Sequence, residues 1–290
     1  MIKSRFGKLN DYLIAALCLL LIFISLLPII NVLARSLSSS DALIRNEVLL
    51  WPKGWNLDAY KTVLQDSKYT WSLGWTAILT VICTLLSMTI TILCAYPLIY
   101  DQLKGRKIIN GIIVLTMYFS AGTIPNYLLL KSLNMLDRPI VLIVPNMMSI
   151  FNMIILRSFF FGIPDSLRES AEIDGAGPVR ILIRIYLPLS ASVLATLSLF
   201  YAVGRWNGFS DALMYMSKNR QYYPIQLLLY QILQNATQIE VATQEGFFPP
   251  GISETLKMAT VMFATVPIIL IYPWLQRYFI SGVTIGAIKG

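Results

Sequence analysis

Three carboxylates stand close together between residues 163 and 188: Glu169, Glu172 and Asp174. Clustered acids can do general acid–base work, but only beside a nucleophile, a second base or a metal. The chain has no histidine, which removes His-based metal sites and His-based proton transfer. Its three cysteines, Cys18, Cys83 and Cys94, lie in apolar runs and form neither a disulfide framework nor a ligand pattern. No Gly-x-x-x-x-Gly-Lys-Ser/Thr phosphate loop occurs, so ATP has no cradle of that type here. The sequence therefore predicts no enzyme and no cofactor bound by this chain.

The same carboxylates read better as the rim of a mechanical element. The stretch 163–188 begins Ile163-Pro164-Asp165-Ser166-Leu167-Arg168-Glu169 and runs on through Ser170-Ala171-Glu172-Ile173-Asp174-Gly175-Ala176-Gly177-Pro178. Ser166 and Glu169 have the spacing of a capping box, which starts a helix. Asp174-Gly175 ends it, glycine supplying the left-handed turn. Pro178 suits the first position of the next helix. Leu167, Ala171 and Ile173 offer an apolar ridge, and small Ala171 and Gly175 let another backbone approach. Such a knob fits a groove on a partner. An ordinary capped connector with solvated charges uses the same residues, and the spacing alone leaves both open.

The elements that position this knob follow from composition. Of 290 residues, 56% are hydrophobic and only 13% charged, about half the charge of a soluble domain. That excludes disorder and points to a chain dissolved largely in lipid. The net charge of +8 then reads as basic residues at membrane boundaries, not as a nucleic-acid surface. A spanning helix needs about 20 apolar residues. Six spans are predicted, at about 12–34, 71–100, 108–130, 139–161, 187–206 and 256–280. The alternating ten-residue strands of a membrane barrel are absent from the pattern. The fold class is therefore an all-α membrane protein, residues 1–290 forming one transmembrane domain. The first span is too long for a signal-peptide core and is read as a retained helix.

Orientation comes from the short loops. Lys104, Arg106 and Lys107 follow span two, and Arg157 at the end of span four is followed by Arg168, Arg180 and Arg184, whereas Lys131 and Arg138 alone lie between spans three and four. The positive-inside rule then places both termini and the knob in the cytoplasm. Residues 217–255 become a long hydrophilic outer loop. Spans three and four are interrupted, at Ser120–Pro125 and at Pro145-Asn146, and span five ends in Gly204-Arg205-Trp206-Asn207-Gly208. Irregular backbone at membrane depth is tolerated where it lines protein or a wet cavity.

Glu169-Ser170-Ala171, three residues, Gly175, nine residues and Ile185-x-Leu187-Pro188 resemble the EAA loop of binding-protein-dependent ABC importer permeases; the one departure is Ser170 for alanine. The C-terminus, Leu275-Gln276-Arg277-Tyr278-Phe279 and then Gly282 to Gly290, is similar to the tails of carbohydrate-uptake permeases of the MalG type. The entry to span six, Ser253 to Ala259, looks most like the LplC/YtcP-like oligosaccharide branch.

The resemblance implies that the loop is a coupling helix between spans four and five. Glu169, Ala171, Glu172, Asp174, Gly175 and Ala176 would dock on an ATP-binding subunit, with Gly286 and Lys289 of the tail also touching it. ATP and Mg would sit on two such partner subunits. A homologous second permease would complete the pore, and an extracellular solute-binding protein would deliver a carbohydrate. The setting implied is a bacterial cell membrane.

Sugars are held by aromatic faces and by amide or hydroxyl groups. Tyr118, Asn126, Asn146, Asn152, Trp206 and Asn207 lie near the breaks and are the candidates for a substrate path. Interfacial anchoring and inter-helix hydrogen bonds account for the same residue types. Arg205 and Asp211 are expected at the outer boundary, where they can pair, a contact worth little if exposed. Two alternatives stay open: an importer permease for another solute, and a secondary transporter acting alone. The second is disfavoured because ion coupling usually places ionisable residues inside the spans.

Overall fold

The computed structural model describes residues 5–244 and 252–287, and every regular element among them is helical. Among these residues, three helices are long and apolar enough to cross a membrane: Asp11–Ser36, Ser67–Ile99 and Glu254–Ile271. Three further pairs qualify if each bent pair counts as one span, which gives up to six. The chain divides into two compact units, residues 1–70 with 228–266, and residues 71–227 with 267–290.

In the first unit, α1 (Arg5–Ser36) carries apolar residues on all sides, and none of its most apolar window is buried. A helix of that kind is a membrane span. The segment after it folds over a small core of Ala34, Ala42, Leu43 and Val48. The Ser39 hydroxyl caps the short helix Ser40–Ile44 through the amide of Ala42, and the Arg35 guanidinium pairs with Glu254.

The second unit is built on α2 (Ser67–Ala95). Its buried positions include Ser72, Thr76, Leu79, Cys83, Ser87, Thr91 and Ala95, three or four residues apart, so one stripe faces protein. Most are small or hydroxylated, the residue types that let membrane helices approach closely. Ile78, Val81 and Leu85 point away and are exposed, as lipid-facing residues would be. The stripe meets α5 (Ile150–Phe161) and the helices beyond it in a core holding Tyr96, Met153, Leu156, Phe160, Ile181, Tyr186 and Leu197.

The breaks have local causes. α3 (Arg106–Tyr118) and α4 (Thr123–Ser132) meet at 114°, with Gly122 at φ +89° between them. Pro139–Asn146 and α5 meet at 45°. After α6 (Asp165–Ile173) comes α7 (Pro178–Leu189), which widens to a π-turn at Leu182–Tyr186. Pro188 explains the widening, since it lacks an N–H and its ring crowds the carbonyl of Arg184. α7 and α8 (Ala191–Asn207) then bend by 83° at Ser190. The bend falls inside the predicted span at 187–206: residues 187–189 belong to α7 and the rest, from Ala191, to α8.

α9 (Ser210–Tyr215) precedes α10 (Ile225–Gln244) and α11 (Ile252–Ala287). The expected outer loop at 217–255 therefore contains a 20-residue helix. Its first turns bury Ile225, Leu227 and Leu228, apolar positions outweighed by the polar residues that follow. Residues 245–251 of that loop lie outside the described residues.

Candidate functional site

Two places in the second unit gather the residues singled out from sequence: the turn between α6 and α7, and a cavity beside α8.

The turn is a Schellman closure. Ala176 donates its amide to the Ala171 carbonyl at 2.9 Å, Gly175 donates to Glu172 at 3.0 Å, and Gly175 sits at φ +77°. Both bonds satisfy carbonyls that the helix end would leave bare. Pro178 takes the first position of α7. The capping box does not form. Pro164 is the N-cap, Asp165 fills the first turn and Ser166 lies inside the helix, its carbonyl accepting from the Ser170 hydroxyl at 2.8 Å. Pro164 supplies the extended backbone that starts the helix ahead of Ser166, and Asp165 gives the first turn its negative charge.

The two faces of this turn differ. Ala171 and Ala176 pack against the core cluster. Glu169, Glu172, Asp174 and Gly175 are exposed, with Leu167 44% and Ile173 86% exposed beside them. Behind the turn, Tyr96, Phe160 and Tyr186 form a closed trio of edge-on rings with centroids 5.2 to 6.4 Å apart. Each such pair adds about 0.5–1.5 kcal/mol beyond burial. The Tyr96 hydroxyl donates to the Pro178 carbonyl at 2.9 Å, and Arg168 stacks its guanidinium 5.1 Å over the Tyr100 ring while pairing with Asp165. The turn is thus fixed to the ends of α2, α5 and α7.

Gly286 lies within α11, and Lys289 lies outside the described residues.

The cavity has a volume of about 610 Å³ and is bounded by α2, the break before α5, and α8 with the turn after it. Pockets of roughly 300–1,000 Å³ hold small ligands. Of the six path candidates, Asn146 and Asn152 line it. Trp206 is buried but faces a separate apolar pocket with Leu199, Ile268 and Ile271. Tyr118, Asn126 and Asn207 are exposed and lie outside the cavity lining.

Arg205 and Asp211 do pair, and the pair is buried. Their side chains are only 6% and 12% exposed, and both line the cavity. The guanidinium holds both carboxylate oxygens, at 2.5 and 3.1 Å, and also donates to the carbonyls of Leu142 and Gly208, each at 3.1 Å. Asp211 further accepts from the Ala212 amide at 2.9 Å and the Asn146 amide at 3.2 Å. The end of α8 is bent back by Gly208, which brings position 211 onto 205; that fold-back was the missed signal. Ser87, Ser149 and Tyr201 also line the cavity and carry no sequence motif. The Tyr201 hydroxyl accepts from the Ser149 amide at 3.0 Å and lies 2.7 Å from that of Thr91.

This chain belongs to the family of binding-protein-dependent transport system inner membrane components, whose profile matches residues 87–285. It is 39% identical over 285 residues to the polygalacturonan/rhamnogalacturonan transport system permease protein YtcP of Bacillus subtilis, covering 98% of this chain and 99% of that one. It is also 39% identical to Protein LplC of the same organism, covering 92% and 90%. A crystal structure of a bacterial ABC transporter that imports the acidic polysaccharide alginate contains a chain with TM-score 0.85 and 30% identity, over 96% of this chain and 99% of that one. The chain is accordingly a multi-pass inner-membrane permease of an ABC importer and not an enzyme. The reading as a secondary transporter acting alone is set aside.

Proposed function

We propose that this chain translocates an oligo- or polysaccharide, driven by a separate ATPase through the turn at residues 165–178. Six spans cross the membrane, each bent pair counting as one, with both termini and the turn on the cytoplasmic side. All 290 residues act as one permease domain. A homologous permease completes the pore, two ATP-binding subunits carry ATP and Mg, and an extracellular solute-binding protein delivers the sugar. The saccharide class follows from the polymers named for YtcP and the alginate importer.

The observation that carries this reading is the two-faced turn. Its inner face, Ala171 and Ala176, rests on the aromatic core that joins α2, α5 and α7. Its outer face presents Ile173 within a rim of Glu169, Glu172 and Asp174, open to a partner. A push on the outer face reaches three helices without passing through a flexible joint. Gly286 and Lys289 supply a second contact to the same ATPase. The sugar passes the cavity that Asn146 and Asn152 line.

The test is ATP hydrolysis by the complete assembly in proteoliposomes. Saccharide-loaded binding protein is expected to stimulate it, and this chain alone is expected to hydrolyse none. Stimulation by a non-sugar solute and by no saccharide would replace the sugar reading with that of another importer.

A further inference from the structure

The cavity's charges are already spent. Arg205 and Asp211 are the charged residues among its lining, and they neutralise each other. Arg205 is 7% exposed, and its four terminal N–H contacts go to fixed acceptors, two of them backbone carbonyls. To meet a ligand's carboxylate it would have to leave Asp211 uncompensated in a buried setting, a strongly unfavourable exchange.

Other polar groups are free. Asn152 is 5% exposed and Ser87 2% exposed, yet neither side chain has a hydrogen-bond partner among the described residues. Neither is among the fully occluded polar atoms that lack a partner, so both open onto the cavity they line. Buried amides and hydroxyls are normally hydrogen-bonded. Two that are left unpaired among the described residues, Ser87 on α2 and Asn152 on α5, await a ligand with hydroxyl groups. Phe151, Phe200 and Tyr201 add aromatic surface for an apolar ring face.

We propose that this cavity is a subsite for an uncharged sugar unit, held by Asn152 and Ser87, and that the closed Arg205–Asp211 pair makes it reject uronates. This rests on the saccharide reading above and adds the charge class. It parts from the acidic polymers named for the alginate importer and for YtcP. Asp211 is the specificity-determining residue: it occupies the cation that a uronate carboxylate would need.

The experiment uses the complete importer in detergent, without its solute-binding protein, so that this protein's own selectivity does not enter. Saturation-transfer NMR compares two probes of equal linkage and length, α-1,4-galactotriose and α-1,4-trigalacturonate. The Asn152-dependent signal is taken as the difference from Asn152→Leu. The neutral probe is expected to carry it, and Asn152→Leu and Ser87→Ala are each expected to weaken neutral binding about fivefold, the worth of one hydrogen bond. Asp211→Asn keeps the shape and frees the guanidinium charge, so trigalacturonate should gain signal. An Asn152-dependent signal as strong for trigalacturonate as for galactotriose in the wild type would overturn the proposal. So would neutral binding unchanged in both Asn152→Leu and Ser87→Ala. Should Asp211→Asn fail to assemble, the wild-type comparison and these two variants still decide. Saccharide transport by the assembly with no Asn152-dependent signal sinks the subsite alone; transport of no saccharide sinks the reading beneath it.

Discussion

The hydroxyl of Tyr96, at the end of α2, donates to the carbonyl of Pro178, the first residue of α7. The two residues are 82 apart in sequence, and this bond ties the start of α7 to the helix that supplies one wall of the cavity. Tyr96→Phe removes this bond and the one shared with the Tyr100 hydroxyl, and leaves the ring packing. The expected loss of stability is about 1–3 kcal/mol, the net worth of two hydrogen bonds. The sharper expectation is functional: fewer sugars moved per ATP hydrolysed, measured together in proteoliposomes.

Gly175 holds φ +77°, and a Cβ there would meet no atom within 4 Å. Gly175→Val is therefore a backbone perturbation without a clash inside the chain. The left-handed conformation costs a non-glycine residue about 1–2 kcal/mol. The chain is expected to reach the membrane in normal amount while transport falls. Normal transport at normal expression would argue against a docking role for the turn.

Phe160 is 1% exposed and touches both Tyr96 and Tyr186. Phe160→Ala should destabilise the second unit by about 3–5 kcal/mol through lost burial and the cavity left behind. Thermal unfolding of the detergent-solubilised protein checks this. The Asn152→Leu variant, which alters the cavity wall, should by comparison lose little.

Arg205→Leu strands the buried Asp211 carboxylate, which should cost about 3–5 kcal/mol. The double variant Arg205→Leu/Asp211→Leu removes both charges and should recover part of that loss. Unfolding of the four proteins of this double-mutant cycle gives the coupling directly. A single variant no worse than the double would contradict the buried pair.

Asp137 accepts the backbone amides of Lys218 and Ser217, at 2.7 and 2.6 Å. The Lys218 amide bond is the larger cause that holds its carboxyl below the usual range. A carboxyl lowered on folding adds stability that is present above its unfolded value of about 3.9. That stability is lost as pH falls through the lower folded value. Hydrogen-exchange protection at Ser217 and Lys218 should therefore persist at pH 5 and fade towards pH 3. In Asp137→Asn it should be lower and independent of pH across that window.

Much of this molecule is written in local pattern. Charge-free runs of about 20 residues mark spans because lipid leaves them no alternative. The turn at Asp174-Gly175 and Pro178 is equally local, since it depends on one left-handed residue and one pre-set φ. The start of α6 was misread because Ser166 and Glu169 have capping spacing whichever residue begins the helix, and Pro164 decides that. The 83° bend at Ser190 was hidden because residues 185–204 form one uncharged run. The cavity was legible only in part. Asn146 and Asn152 lie near a visible break, but Ser87 sits in an unbroken helix, and its role depends on which side of α2 meets protein. Trp206 has the same residue type as a sugar platform, and only packing sends it to the apolar side.

The most direct measurement of the central claim is the location of Ile173. It is 86% exposed on the outer face of the turn. With Cys18, Cys83 and Cys94 replaced, Ile173→Cys should crosslink to the ATP-binding subunit in the complete assembly and resist a membrane-impermeant maleimide added to intact cells. Labelling from outside, with no crosslink to the ATPase, would contradict the account.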